Sequence, residues 1–447
     1  MIDKKFDLDT PPQHVYNRKK EDYVKIALTP GSASNINRTG DLTFEVDNQA
    51  SYLYLPKSFL YCEYSLFKDD KFANELKETD NITLEHNFFP KLFDSMRLEV
   101  GTQTIETITD PGVFDTMLRF VAISENKVKY ENEGWIPDTG SGNYVEQIKF
   151  GAADKFSADE QTAIANRLNK HTKNSGYTKR FELNNRNKAK QAITWSLSPL
   201  FGYLDYKKIS YQLRYKLVLY RNNRTNELVF FGKAGEKAYI KINKLEWWIP
   251  HITPSVKIET MIMQRLNTNK AIPVSFLQRV VSSVDIQENN YTWHFTRTSD
   301  TPRFLIVGIQ PNEAPKFENN NSKFCSKYPT GEIKSIQVYL NQDRYPIDPL
   351  RFDKDNNVYQ EGYNAYKQMC AIFGNNAQLS PLDWRNLYSI FCFDLSAQPE
   401  DLVKNGCDVT IKIEKSEAIK SFKVYAVAMV DANHFIELNN SRMVRIN

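Results

Sequence analysis

Tyr211-Gln-Leu-Arg-Tyr-Lys-Leu-Val-Leu-Tyr220 puts Tyr211, Leu213, Tyr215, Leu217 and Leu219 on one face of an extended chain and Gln212, Arg214 and Lys216 on the other. A period of two marks a strand with one buried and one wet side. Cys407-Asp-Val-Thr-Ile-Lys-Ile-Glu414 repeats the pattern, with Cys407, Val409, Ile411 and Ile413 on the apolar face. Shorter versions are Leu42/Phe44/Val46, Leu60/Cys62/Tyr64/Leu66, Met96/Leu98/Val100 and Ile336/Val338/Leu340. Between Ala238 and Ile249 the apolar face runs Ile240, Ile242 and then slips by one residue to Leu245, Trp247, Ile249. The slip predicts a bulge, and Pro250 is expected to end that strand.

Helical signals are few and lie between strands without alternating with them one for one, which argues for antiparallel sheets over a parallel α/β fold. Asp110-Pro111 offers an N-cap and a first-turn proline ahead of Phe114, Met117, Leu118 and Val121. Ser157-Ala-Asp-Glu160 is a capping box. Ile258, Met261, Ile262 and Leu266 predict a third helix with a core-facing stripe. Val358 to Phe373, with Tyr359, Tyr363, Tyr366 and Cys370 in register and Gly374 behind, predicts a fourth.

The order of elements repeats. Met96 to Glu106 reads as strand, glycine turn and strand, then a helix near Phe114 to Val121; Ile336 to Ile347 reads as strand, Asn-Gln-Asp turn, then the helix at Val358 to Phe373. Each half continues with a short apolar segment (Trp195 to Phe201; Ile390 to Asp394) and two strands (Tyr211 to Tyr220 and Ala238 to Ile249; Cys407 to Glu414 and Phe422 to Val430). Offsets of roughly 180 to 240 residues indicate a duplicated domain, not a short-period solenoid. The expected fold is all-β, two β-sandwiches in tandem.

Between about Ser124 and Lys190, Lys, Asn, Glu and Gly crowd around one short helix signal. That is too long for a plain connection and reads as an excursion from the first sandwich. Residues 1–20, with Pro11-Pro12 and Arg18-Lys-Lys20, read as an extended arm. The expected division is an arm over 1–30, a first sandwich over 31–250 carrying the insertion at about 124–190, and a second over 251–447.

Composition removes whole classes of function. The 447 residues are 41% hydrophobic and 25% charged, with a net charge of +4. This is too weakly basic for a charge-driven nucleic-acid binder and too balanced for an acidic disordered chain. The first ten residues contain no apolar stretch of signal-peptide length, and no run such as Val424 to Val430 is long enough to span a bilayer. A soluble, unexported chain with no membrane span is expected. The five cysteines, Cys62, Cys325, Cys370, Cys392 and Cys407, are odd in number and widely spaced, which reads as reduced core thiols.

Reactive constellations are missing from the linear sequence. There is no G-x-x-x-x-G-K-[ST], no G-x-G-x-x-G after a strand, no H-E-x-x-H and no C-x-x-C. His14, His86, His171, His251, His294 and His434 are isolated from one another and from the cysteines, so spacing suggests neither a zinc site nor a Cys/His pair. Asp69-Asp70 reads as a solvated turn. No catalytic, cofactor-binding or metal-binding residue is therefore assigned, and no cofactor. Trp247-Trp248 is the sharpest aromatic feature, since adjacent indoles on a strand face opposite sides. One is expected in the core and the other covered by the second sandwich or by a neighbouring subunit.

An ordered set of segments resembles the double jelly-roll major capsid proteins of the Polinton/Maverick and adintovirus type. These segments are Leu84-Glu-His-Asn-Phe-Phe-Pro-Lys-Leu-Phe93, Leu200-Phe201-Gly202, Lys244-Leu-Glu-Trp-Trp-Ile-Pro-His-Ile-Thr-Pro-Ser255, Trp293, Pro302-Arg-Phe-Leu-Ile-Val-Gly-Ile-Gln310, Val338-Tyr-Leu-Asn341 with Tyr345-Pro346, and Phe393-Asp-Leu-Ser-Ala-Gln398. The resemblance implies two eight-stranded jelly rolls in one chain. It further implies a homotrimeric, pseudo-hexagonal capsomer tiling an icosahedral shell around double-stranded DNA, with penton and minor capsid proteins as partners. On that reading the protein is not an enzyme, does not read nucleic-acid sequence, is made in the cytoplasm and ends in the virion. The competing readings are a glycan- or ligand-binding β-sandwich, which requires an exposed aromatic platform, and an enzyme on a jelly-roll scaffold, which requires polar groups clustered in a pocket.

Overall fold

The computed structural model describes the chain except residues 1–17, 48–51, 124–126, 141–154, 171–173, 186–190, 222–228, 234–235, 269, 299–301, 312–332, 354, 398–405, 416–420, 438–441 and 446–447. Sixteen strands build two sandwiches. The first has β1 (Arg18–Ala27), β2 (Gly40–Asp47), β3 (Phe59–Phe67), β4 (Phe93–Val100), β5 (Gln103–Thr109), β6 (Gln191–Ser196), β7 (Arg214–Arg221) and β8 (Tyr239–Pro254). The second has β9 (Ile272–Ile286), β10 (Asn290–Thr298), β11 (Pro302–Pro311), β12 (Ile333–Leu340), β13 (Asp343–Arg351), β14 (Phe391–Asp394), β15 (Cys407–Lys415) and β16 (Phe422–Glu437).

The two pairing schemes superimpose when eight is added to each strand number. The first sandwich pairs β1-β8-β3-β6 and β2-β7-β4-β5; the second pairs β9-β16-β11-β14 and β10-β15-β12-β13. Every one of these pairings is antiparallel. Each set is an eight-stranded jelly roll of two four-stranded sheets. The Tyr52–Leu53, Ser210–Tyr211 and Arg442–Arg445 segments extend the larger sheets. The expected all-β double jelly roll is the fold.

Local chemistry explains most of the strands. In β15 the residues alternate buried and accessible from Cys407 to Lys415. The slip in β8 is a bulge: its register on β3 shifts between Ile242 and Lys244, and Asn243, the extra residue, donates to Ser65 Oγ at 2.8 Å. Pro250 does not end β8, which runs on to Pro254. β3 accompanies β8 only as far as Trp248, so no β3 residue meets the missing N–H of Pro250, while the Pro250 carbonyl accepts from Tyr54 N–H at 2.9 Å. Tyr211 is separated from β7 by Gln212 at φ +55°, which turns the chain from one sheet to the other.

The arm expected over residues 1–30 meets a strand there: Arg18–Ala27 pairs along β8 from Pro254 to Glu246. Its polar sequence hid it, because an edge strand keeps charged residues such as Lys19, Lys20 and Lys25 without burying two faces. Residues 1–17 lie outside the described residues.

Helices α1 (Pro111–Ala122) and α5 (Gln360–Ile372) occupy the same place in the two rolls, after β5 and after β13. Asp110 precedes α1 at φ +47° but does not cap it; its Oδ2 accepts from Lys423 Nζ at 3.4 Å. In the insertion, α2 (Ala158–Lys170) opens with the expected capping box: Glu160 Oε2 accepts from Ser157 N–H at 2.8 Å, and Ser157 Oγ accepts from Glu160 N–H at 3.3 Å. Next, α3 (Ser175–Asn185) packs Tyr177 and Phe181 inward. The link between the rolls, α4 (Val256–Leu266), has no buried residue, so its apolar stripe does not face the core. A short α6 (Pro381–Asn386) follows α5.

Candidate functional site

Among the described residues, the histidines and cysteines named above do not come together in a cluster of metal-ligand type. Among the described residues, no group of three or more His, Cys, Asp and Glu side chains could hold a metal ion. His86 is buried against Trp135, with ring centres 4.2 Å apart, while His294 faces Thr410 Oγ1 at 3.2 Å and His434 stacks on Phe276 at 5.4 Å. His14 and His171 lie outside the described residues. Cys62, Cys370, Cys392 and Cys407 are buried free thiols, and Cys325 is outside the described residues. Burial pushes Cys62 up to about 12 and Cys370 and Cys407 up to about 11, which suppresses the thiolate. Asp69 is a turn residue: its carboxylate accepts from the N–H groups of Lys71, Ala73 and Asn74. Among the described residues no helix is long and apolar enough to cross a membrane.

The structure instead concentrates its specific chemistry in the seam between the rolls. At one end, β5 meets β9. The Ile105 carbonyl accepts from Gln278 Nε2 at 2.8 Å, and Glu106 Oε1 accepts from Arg279 N–H at 2.7 Å. The same carboxylate accepts from the Gly202 and Tyr203 N–H groups, both at 3.0 Å. Burial raises the Glu106 carboxyl, and the nearby Arg279 opposes that rise. Gly202 is required by close approach, since a Cβ there would sit 1.8 Å from the Leu277 carbonyl oxygen.

At the other end α1 meets α5 and the segment after it. Tyr366 Oη donates to the Phe120 carbonyl at 3.0 Å, Asn375 Nδ2 to the Ala122 carbonyl at 2.8 Å, and Gln378 Nε2 to the Arg119 carbonyl at 2.8 Å. Phe120 lies 4.5 Å from Tyr388 and 5.0 Å from Trp135, centre to centre, in an aromatic cluster contributed by both rolls. Beneath it, Arg119 reaches Asp115 at 2.7 Å, Glu133 at 2.8 Å and the Ser196 carbonyl at 2.7 Å. Arg180 of α3 donates to the Leu84 and Ile136 carbonyls and to Asp138 at 2.7 Å. Part of the insertion is therefore interior, including Trp135 and Arg180. Apolar residues of both rolls form a single continuous core.

Away from the seam, two further surfaces of the described residues are partly open. On the outer face of the first roll, Trp248 is half-buried among Phe59, Tyr61 and Tyr23 at 5.2–6.2 Å, with Lys25 Nζ 4.3 Å above the indole. Trp247, facing the other way, is fully buried. Within the chain, the cover over Trp248 comes from β1, through Tyr23 and Lys25. Beside α4 lies an apolar groove of about 550 Å³, lined by Tyr206, Ile209, Ile258, Met261, Ile262 and Ile272 among others.

None of the seam residues carries a local signal. Glu106, Arg119, Trp135 and Gln378 look ordinary in sequence, because their partners across the seam lie 173 residues away for Glu106–Arg279, 243 for Trp135–Gln378 and 259 for Arg119–Gln378. Trp248 was legible because adjacent strand residues must diverge.

Comparison with known proteins accords with this architecture. Residues 155–432, more than half of the chain, match the model of the double jelly roll-like domain family. No match was found among curated proteins. Among solved structures, a chain of the Sputnik virophage particle aligns at 10% identity and a TM-score of 0.62, covering 100% of this chain and 92% of that one. The mavirus major capsid protein aligns at 9% identity and 0.55, covering 100% and 95%. The Faustovirus major capsid protein aligns at 7% and 0.52, covering 98% and 93%. These likenesses are of fold. With two eight-stranded rolls of the same strand pairing sharing one core, the chain belongs to the double jelly roll-like domain family.

Proposed function

We propose that this chain is a major capsid protein that forms homotrimeric, pseudo-hexagonal capsomers building an icosahedral shell around a double-stranded DNA genome. One observation carries the reading: two complete jelly rolls are locked through a buried, hydrogen-bonded seam into a single unit, so three chains supply six similar blocks. The shared fold with the mavirus and Faustovirus major capsid proteins supports it. The protein works by shape and self-contact, without a catalytic step, and resides in the virion. The ordered segments quoted above support the Polinton/Maverick and adintovirus type, with penton and minor capsid proteins as further partners. The domain division is proposed near residue 250, with α4 as the link between the last strand of the first roll and the first strand of the second; pairing in the second roll is described as far as Arg445. The exposed stretch around α2 supports a surface tower.

Double-stranded DNA carries one negative charge per ~1.7 Å of helix axis, and each chain offers a net +4. Neutralising the packaged genome thus falls to counterions or a separate basic protein. The test is light scattering with negative-stain microscopy. Particles of three times 52.0 kDa with a hexagonal outline are expected, and a protomer that stays solitary at high concentration overturns the reading.

A further inference from the structure

The duplicated architecture has used one of its docking surfaces within the chain and left the matching one open. In the seam, the β5 corner at Ile105-Glu106 docks on the second roll at Gln278-Arg279 of β9. Ile105 is 5% exposed there, and Glu106 is buried. The second hairpin strand, Asp343–Arg351, is two residues longer than Gln103–Thr109, and the corner corresponding to Ile105-Glu106 is taken by counting back from the end of the hairpin far from its turn. Ser95 pairs with Thr109 in the first roll, and Ser335 with Arg351 in the second. Four and three residues back from Thr109 stand Ile105 and Glu106; four and three back from Arg351 stand Ile347 and Asp348. Both corners fall where the hairpin register is interrupted. The chemistry is the same, a branched aliphatic followed by a carboxylate. The difference is burial, since Ile347 is 80% exposed.

The acceptor surface has a counterpart too. Arg279 of β9 pairs with Met429 of β16, which pairs through Phe304 to Asp394, the last residue of β14. Lys25 of β1 pairs with Trp248 of β8, which pairs through Phe59 to Ser196, the last residue of β6. Lys25 therefore stands where Arg279 stands, cation for cation. Around it, Tyr23, Phe59, Tyr61 and Trp248 form the half-covered aromatic face of the first roll. The equivalent face of the second roll is covered by α1, with Phe114 against Tyr425 at 5.8 Å.

We propose that the Ile347-Asp348 corner of one copy docks on the Tyr23/Lys25/Trp248 face of the next, repeating between chains the seam that joins the rolls within one. Ile347 packs against the exposed aromatic side chains, and Asp348 faces Lys25. The contact is heterologous, so it propagates from chain to chain, and the trimer reading requires that it close into a ring after three copies. It rests on the trimer reading above and names the surfaces that reading needs.

The experiment uses the full chain, with molar mass measured against concentration by sedimentation. Ile347→Asp and Asp348→Lys are each expected to weaken association by about tenfold or more, because both sit at the centre of the contact. Combining Asp348→Lys with Lys25→Glu is expected to restore association, and Ile347→Cys with Tyr23→Cys to give disulfide-linked multimers under mild oxidation. Since these residues lie at the surface, circular dichroism of each variant should match that of the parent. A parent that associates while the single variants associate equally well and the cysteine pair does not cross-link overturns this contact and leaves the trimer standing. A parent that never associates removes both.

Discussion

Trp135 and Gln378 lie 243 positions apart, yet the indole Nε1 donates to the amide Oε1 at 3.0 Å inside the seam. The same amide gives its Nε2 to the Arg119 carbonyl. One side chain of the second roll thus satisfies a buried donor and a buried acceptor of the first, which couples the two rolls more specifically than apolar contact alone.

Replacing Gln378 by Leu keeps the volume and strands both partners. A loss of about 3 kcal/mol is expected, read as a lower urea midpoint. Fluorescence of Trp135 should shift in step with the transition. A variant as stable as the parent would show that the seam does not depend on this pair.

The two apolar stripes on α4 and α5 should respond in opposite ways to truncation. Met261 on α4 is 57% exposed, whereas Met369 on α5 is fully buried. Met261→Ala is expected to change stability by less than about 0.5 kcal/mol, and Met369→Ala to cost about 2–5 kcal/mol. Equal effects in thermal melts would contradict the placement of α4 outside the core.

Stability should fall on mild acidification. Burial, reinforced by Arg445, pushes His434 down to about 4, against about 6.5 for an unfolded histidine. Between those values the unfolded chain takes up a proton that the folded chain refuses. The His434 contribution is therefore intact above pH ~6.5 and is lost as the pH falls toward ~4. His434→Gln should flatten that part of the profile. Identical slopes for variant and parent in urea titrations at pH 7.5, 6 and 5 would dismiss the effect.

With Cys325 replaced by Ser, the folded protein should resist iodoacetamide, because the remaining four thiols are buried and burial holds Cys62, Cys370 and Cys407 far above neutrality. Denaturant should release all four. Rapid modification in buffer, followed by mass spectrometry, would contradict their burial.

Deletion of residues 1–17 keeps the described stretch of β1, Arg18–Ala27, and its pairing on β8. Trimer formation should survive while shell yield falls, if that segment clasps neighbouring capsomers. Unchanged particle yield by sedimentation would argue against the clasp.

Much of the fold was legible because strand chemistry is local. A period of two reports which side of one chain is buried, and a one-residue slip reports a bulge, as Asn243 shows. The same locality explains the errors. The stripe on α4 has helical spacing but no buried residue, because a stripe says where a face is and not what meets it. β1 was missed for the converse reason, since an edge strand can be polar and still pair from Arg18 to Ala27.

By itself the amino-acid order determined that the protein is built from alternating strands and that its plan occurs twice, since turns, caps and periodicity act over a few residues. Only the folded molecule decided which of the two plans' surfaces would meet. Glu106 finds Arg279 across 173 positions, while Ile347 at the matching corner stays open to solvent. Side chains so distant in sequence are brought together by the packing of whole sheets, and no local pattern encodes that choice.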